Sequence, residues 1–257
     1  MKANYHTHTA RCYHAVGSDR EYVENAIMGG MKVLGFADHC PFVFDNGFVS
    51  NMRMSPAEVD GYFNSLLDLK SEYKNDITIY IGFESEYIPA LQHKKDELLK
   101  GYPLDYEILG QHYLNPECQG RYVGSYRAEG FLKEYVDSVI EGFNIHNFKY
   151  LAHPDLPRFF PEDEEYEREY TRLCEFLKER DIPIEYNLLG FSENRWYPTH
   201  SFFELAAKVG NKVIIGCDAH EPKVLSDINM QEKCLLSAKS FGMEIIDFLP
   251  GLGDKNE

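Results

Sequence analysis

The chain of 257 residues lacks a Cys-x-x-Cys pair, an excess of basic charge, a long apolar run and a low-complexity linker. Each absence removes a class of protein. The six cysteines, Cys12, Cys40, Cys118, Cys174, Cys217 and Cys234, show no spacing of the kind that builds a closed thiolate zinc site. A chain of this size does not need disulfides to fold, so reduced thiols in a cytoplasmic protein are expected. Twenty-six basic residues against 42 acidic ones give a formal net charge of −16. That balance disfavours a nucleic-acid partner, because binding a phosphate backbone needs clustered Lys and Arg. The longest acidic run, EDEEYERE at 162–169, reads as the polar start of a helix, where it suits the helix dipole. No stretch resembles a signal peptide or a membrane span, so no membrane association is expected. With no linker, the expectation is a single domain over residues 1–257.

Strand and helix alternate throughout. Short runs rich in apolar or β-branched residues, bounded by loop signals, predict strands over 3–7, 32–38, 77–85, 106–111, 148–152, 182–187 and 212–217. Helical patterns cover 19–29, 91–100, 130–145, 164–179, 201–209 and 231–241. Another helix opens at Ser55-Pro56-Ala57-Glu58, with a capping residue, a proline at the first position and a glutamate at the third. Successive βα units mean a mostly parallel sheet.

Histidine is concentrated at one kind of position in this pattern. Of ten histidines, His6, His8, His14, His39, His112, His153 and His220 fall at or just beyond the C-terminal ends of predicted strands, as do Glu84 and Asp218. Only His93, His146 and His200 lie elsewhere. An open sheet gathers its chemistry at one switch point fed by a few strands, whereas a closed barrel gathers it over the whole C-terminal face. Six of the seven predicted strands contribute here, which favours a TIM-like α/β barrel.

In a strand, residues i and i+2 point to the same side, so His6 and His8 can reach one ion. Asp218-Ala219-His220 repeats the spacing at the last strand, which neighbours the first in a barrel. Only one of Asp38 and His39 can face the barrel mouth. His39 is taken as the ligand and Asp38 as a carboxylate that fixes an imidazole. Glu84 is favoured over Glu86, and a carboxylate can bridge two cations where an imidazole cannot. The donors are too many for one ion and suit three. Mixed nitrogen and oxygen ligands fit Zn, Fe or Mn better than Mg or Ca. Cys12, Cys40 and Cys217 lie beside proposed ligands, which leaves a soft-metal role open, but strand alternation points their side chains away and favours packing in the core or support behind the ligands. An open cluster of this kind lowers the pKa of a bound water and neutralises phosphoryl charge, so metal-assisted hydrolysis is the expected chemistry.

These motifs carry a family resemblance. Through His6-Thr7-His8, His14, Ala37-Asp38-His39, Gly82-Phe83-Glu84, Gly110-Gln111-His112, Ala152-His153-Pro154-Asp155 and Asp218-Ala219-His220, the chain resembles the PHP (polymerase and histidinol phosphatase) metallo-hydrolases over nearly its whole length. Within them it is most similar to the histidinol-phosphate phosphatases. That narrower likeness rests on chain length, Asp38-His39-Cys40-Pro41-Phe42, Gly110-Gln111-His112-Tyr113 and two loop arginines.

The resemblance implies a distorted (β/α)7 barrel with a trinuclear site. One ion would be held by His6, His8, Glu84 and Asp218, a second by Glu84 again with His112 and His153, and a third by His14, His39 and His220. Arg158, after the fifth predicted strand, and Arg195, after the sixth, would grip the phosphate bidentately, with Arg11 a weaker candidate. The implied reaction is hydrolysis of L-histidinol phosphate in histidine biosynthesis. A metal-activated hydroxide would attack phosphorus in line, and Asp155, on the strand side of His153, and metal-bound water are the two candidates to protonate the leaving oxygen. Phe42, Phe44, Asp45, Trp196 and Tyr197 lie in loops able to receive the substrate's ammonium and imidazole, although packing explains each of them as well. Two other readings stand beside this one. The chain could be a PHP phosphoesterase for another small phosphate ester or a nucleotide. It could also be a non-catalytic metal-binding protein, whose site would be coordinatively closed and need no arginine at its mouth.

Overall fold

The computed structural model describes residues 1–255, and the structural statements below concern these. Strands β1 (Ala3–Asn4), β2 (Val33–His39), β3 (Thr78–Ser85) and β4 (Tyr106–Leu109) pair in parallel in chain order. Strands β5 (Ile184–Asn187), β6 (Lys212–Gly216) and β7 (Glu244–Ile245) form a second parallel run. The helices are α1 (Asp19–Met28), α2 (Val59–Glu72), α3 (Pro89–Leu99), α4 (Phe131–Ile145), α5 (Tyr166–Glu179), α6 (Leu188–Ser192), α7 (His200–Val209) and α8 (Ile228–Lys239). The fold is mixed α/β with a curled parallel half-barrel sheet. None of its described helices is long and apolar enough to cross a membrane.

Every residue of β2 and β3 is buried, as expected of parallel strands covered on both faces. Alternation splits their side chains between two cores. Leu34 and Phe36 of β2 pack outward under the helices, with Tyr22 of α1 and Phe63 of α2. Val33 and Ala37 point inward and join Tyr5, Tyr80, Tyr106, Tyr150 and Ile214. Local chemistry sets the helix starts. Ser18 and Glu21 form a reciprocal capping box at α1. The Ser55 segment becomes a 3-10 turn over Pro56–Glu58 before α2 begins.

Two strand expectations differ from the structure. The first strand shortens to Ala3–Asn4, and Thr7 makes only an isolated parallel bridge to Ala219. Residues 148–152 form no regular strand. Leu151 bridges Leu109 on one side and Ile184 on the other, with Leu151 N donating to Pro183 O at 3.2 Å. Glu185 N returns the bond to Leu151 O at 2.9 Å, but Pro183 has no N–H with which to extend the ladder toward Lys149. The short helix α6, strand β7 and the C-terminal segment were not anticipated. That segment seals the inner core from below. Leu249 and Leu252 pack inside it, and the Tyr5 hydroxyl donates to Leu252 O at 2.6 Å. The Tyr80 hydroxyl donates to Gly253 O at 2.8 Å.

Leu249 is 1% exposed. Its truncation in Leu249→Ala is expected to cost about 2–5 kcal/mol, read as a lower midpoint in urea denaturation. A midpoint equal to that of the parent chain would show that the C-terminal segment is not part of the core.

Candidate metal centre

The strand ends deliver their polar side chains to one place. Glu84, on β3, is 2% exposed, and five imidazoles surround its carboxylate. Glu84 Oε1 lies 2.8 Å from His153 Nε2 and 3.6 Å from His112 Nε2. Its Oε2 lies 2.9 Å from His39 Nδ1, 3.5 Å from His6 Nε2 and 3.6 Å from His8 Nε2. The second acid, Asp218, sits just past β6 with Oδ1 3.1 Å from His8 Nε2 and 3.5 Å from His6 Nε2. The His220 ring stacks on His8 at 4.0 Å and on His14 at 4.7 Å, centroid to centroid. All seven histidines singled out in the sequence, with both acids, therefore form one contiguous cluster. His6 and His8 are fully buried, whereas His14 and His220 lie nearer solvent.

Small residues and bent backbone make this geometry possible. A Cβ on Gly110 would stand 1.9 Å from Glu84 Oε1, so only glycine leaves room for the carboxylate. His153 and Asp218 both have positive φ, at 28° and 49°. Such conformations cost on the order of 1–3 kcal/mol each and concentrate at functional sites.

The electrostatics follow from crowding. Burial raises the pKa of the Glu84 carboxyl, but first His112 and then His6 outweigh it and hold the group well below the usual range. Burial likewise opposes the ionised form of Asp218, and His6 and His8 overcome it. His39 is pushed well below its ordinary value, first by burial and then by His8.

Most of the rings are held from behind, in the manner of metal-ligating histidine. His6 Nδ1 meets Glu185 Oε1 at 2.7 Å, His8 Nδ1 meets Asp38 Oδ1 at 3.3 Å, and His112 Nδ1 meets Glu86 Oε1 at 3.2 Å. His14 and His220 use the carbonyls of Cys12 and Asp218, at 2.7 and 2.9 Å. The opposite nitrogens of His6, His8 and His220 are buried without a hydrogen-bond partner, as are Glu84 Oε2 and His153 Nδ1. Orphaned donors of this kind, facing two carboxylates, fit divalent cations. Sets of three donor atoms within 4.8 Å of one another include His8, His39 and His220, then His6, His153 and Asp218, and then His6, His8 and Glu84.

A cavity of about 690 Å³ opens above the cluster. Its lining includes His14, His39, His112, His153, Asp218 and His220, together with Arg195, Tyr197, Tyr122, Asn51 and Met52. Arg195 is held by Glu193 Oε2, 2.8 Å from its Nε, and by the Tyr197 hydroxyl at 3.1 Å. Arg158 is not brought to this cavity. The segment 156–159 buries Leu156 and Phe159, which turns Arg158 outward, where its guanidinium lies 5.8 Å above the Trp196 ring. Trp196 and Phe42 pack, as the blander expectation had it. Arg11 pairs with Asp19 at 2.9 Å.

Asp155 is also outside the lining. It accepts from Thr199 N at the cap of α7, and burial, opposed by that hydrogen bond, pushes its pKa up to about 6. Cys40 and Cys217 pack in the core as expected. Cys12 does not follow expectation. Its sulfur lies within 4.8 Å of donor atoms of His14 and His220. Cys12 sits in the 3-10 turn Ala10–Cys12, where strand alternation does not apply. Burial raises its thiol, but hydrogen bonds with His14, His220 and His8 bring it down to about 5.

Glu185 was missed in the sequence. It is fully buried on β5, holds His6, and accepts from His153 N at 3.0 Å and Asn187 Nδ2 at 2.8 Å. Asn187 also donates to Asp218 Oδ2 at 3.1 Å. The signal was present, because Glu185 and Asn187 share the i, i+2 spacing of His6 and His8 on the one strand given no ligand. The carboxylate has room because a Cβ on Gly216 would stand 1.7 Å from Glu185 Oε1.

The family model described as the PHP domain matches residues 4–189. The histidinol-phosphatase of Bacillus subtilis is 23% identical over 252 residues, covering 86% of this chain and 94% of its own. The histidinol phosphate phosphatase of Lactococcus lactis subsp. lactis, solved with zinc, L-histidinol and phosphate, is similar at a TM-score of 0.69 and 20% identity over 96% of both chains. A more distant likeness, at a TM-score of 0.52 and 14% identity, covers 91% of this chain and 86% of the other. It is to a structure from work on the metal-dependent tyrosine phosphatases of Bacillus subtilis and Streptococcus pneumoniae. At these identities the solved structures speak to the fold.

Replacing Glu185 by glutamine is expected to cost about 10–100-fold in metal affinity, the usual effect of removing the partner behind a ligating histidine. Competition with a chromophoric chelator measures it. Undiminished affinity would mean that Glu185 does not support the site.

Proposed function

The chain belongs to the PHP family, and from that membership we propose that it is a metal-dependent phosphomonoesterase hydrolysing L-histidinol phosphate to L-histidinol and phosphate. The observation that carries this reading is the convergence of six imidazoles on Glu84 and Asp218, with His14 stacked on His220 beside them, beneath a cavity whose wall holds Arg195. The histidinol-phosphatase names of relatives across most of the chain support the substrate.

In this reading three ions would be held, one by His6, His8, Glu84 and Asp218, one by Glu84 with His112 and His153, and one by His14, His39 and His220. Zn, Fe and Mn all suit such donors. When bound, divalent ions at such a site supply an activated water and neutralise charge on phosphoryl oxygens.

The protein's own groups do the rest. Glu185, Asp38 and Glu86 fix the tautomers of His6, His8 and His112, keeping each donor atom turned toward the carboxylates. Arg195 presents a fork of donors to phosphate oxygens and stabilises charge as the P–O bond to the alcohol breaks. Glu221, also in the cavity lining, favours a substrate that carries an ammonium and disfavours one with extra negative charge. Arg158 and Asp155 lie outside the cavity lining and have no part in this scheme, so the departing oxygen would take its proton from water.

The same reading includes a distorted (β/α)7 barrel as one domain over residues 1–257. The Leu151 bridges support counting residues 148–152 as a strand, and the Thr7–Ala219 bridge supports joining the last barrel strand to the first. The reading also takes the protein to be cytoplasmic, with a small-molecule substrate and no nucleic-acid partner, which the six free cysteines and the acidic charge support. A PHP phosphoesterase acting on another small ester would keep every residue role above, and the fold shared with tyrosine phosphatases keeps that alternative in the test.

Phosphate release from L-histidinol phosphate, p-nitrophenyl phosphate and a mononucleotide, with Mn or Zn and a chelator control, separates the readings. Strong chelator-sensitive preference for histidinol phosphate is expected. Equal turnover of all three, or of the mononucleotide alone, would remove the substrate assignment and leave the hydrolase. Arg195→Met should lose about 1.5–3 kcal/mol of transition-state stabilisation, roughly tenfold or more in kcat/KM for histidinol phosphate. An unchanged kcat/KM would take Arg195 out of the phosphate site.

A further inference from the structure

Arg53 is the largest of the fully buried side chains, at 2% exposure. It lies between β2 and the 3-10 turn Pro56–Glu58, and nothing in the sequence pattern marks it. A guanidinium this deep has to be matched by acceptors in fixed places. Three are present. Arg53 Nε donates to Glu117 Oε2 at 2.9 Å, Nη1 to Cys40 O at 3.0 Å, and Nη2 to Glu86 Oε2 at 3.1 Å. The Phe42 ring covers the group at 4.9 Å.

The two carboxylates lead in different directions. Glu117 also accepts from the Ser50 hydroxyl, at 2.9 Å to each oxygen. This ties the loop after β4 to the loop that carries Asn51 and Met52 into the cavity lining. Glu86 is 1% exposed and uses its other oxygen on His112 Nδ1 at 3.2 Å. His112 Nε2 then faces Glu84. An unbroken line of contacts thus runs from Ser50 through Glu117, Arg53, Glu86 and His112 to Glu84. An arginine serving only to fill space would not need one of its two anions to be the group that orients a ring in the cluster.

We propose that Arg53 is a positioning residue. It holds Glu86 so that His112 keeps its proton on Nδ1 and turns Nε2 toward Glu84, and with the same guanidinium it pins the Asn51–Met52 segment at the cavity mouth. The proposal rests on the metal-hydrolase reading and extends it by coupling a wall of the substrate cavity to one imidazole of the cluster.

The test uses the zinc-loaded full chain with Arg53→Met, Arg53→Lys and Glu86→Gln. It reads zinc affinity, kcat and KM separately, and the ring nitrogen shifts of His112. Arg53→Met and Glu86→Gln should each lose about 10–100-fold in metal affinity or kcat and alter the His112 nitrogen signature. Arg53→Met should in addition raise KM, because it frees the loop. Arg53→Lys should recover only part, since an ammonium meets one carboxylate but cannot fork to both. If Arg53→Met does not fold, the other two variants decide on the same readouts. Variants with parental metal affinity, kcat, KM and His112 signature, altered only in melting temperature, would overturn the proposal. Failure of the parent chain to hydrolyse histidinol phosphate would remove the substrate reading alone, because zinc affinity and the His112 signature still decide the role of Arg53.

Discussion

A single buried carboxylate governs this structure. Glu84 has almost no solvent around it, yet its two oxygens are shared among His6, His8, His39, His112 and His153. An ionised carboxylate in such a place is costly unless opposite charge and hydrogen bonds compensate it. Imidazoles meet part of that demand, and divalent cations between the imidazoles and the acids would meet the rest. The glycine at 110 exists in this account because the carboxylate needs its space. The backbone at His153 and Asp218 bends into an uncommon region to turn two more donors toward the same point.

The fold serves this convergence by bringing parallel strand ends together from both halves of the chain. Most strand ends contribute a donor, and several strands supply the group that steadies a donor from another. Asp38 on β2 holds His8 from the first strand, Glu86 beyond β3 holds His112, and Glu185 on β5 holds His6. The order of the chain therefore does not follow the order of the contacts, and the site assembles only when the sheet does. The inner core of tyrosines and aliphatic residues, with Leu249 and Leu252 below it, supports this layer from beneath.

How much of this was legible beforehand depended on whether the determinant was periodic. The strand-end histidines stand out because alternation assigns each a side, and His6-Thr7-His8 and Asp218-Ala219-His220 repeat one spacing. Most of the longer strands and helices were readable for the same reason. Other features turn on tertiary packing. Residues 148–152 look like a strand, but the proline at 183 breaks the ladder beside them. Cys12 escapes alternation because it sits on a 3-10 turn, and so joins the imidazoles. Arg158 and Asp155 occupy loop positions of the right kind, yet Leu156, Phe159 and Thr199 set their directions. Arg53 has no sequence signal, since its meaning lies in two carboxylates distant along the chain.

The most direct test of the central claim is anomalous diffraction from crystals grown with zinc and inorganic phosphate, with data on both sides of the zinc edge. The account predicts three anomalous peaks within the nine-residue cluster, with the Glu84 carboxylate between two of them and phosphate beside Arg195. Peaks outside the cluster, or ions bound in it with Glu84 unliganded, would contradict it.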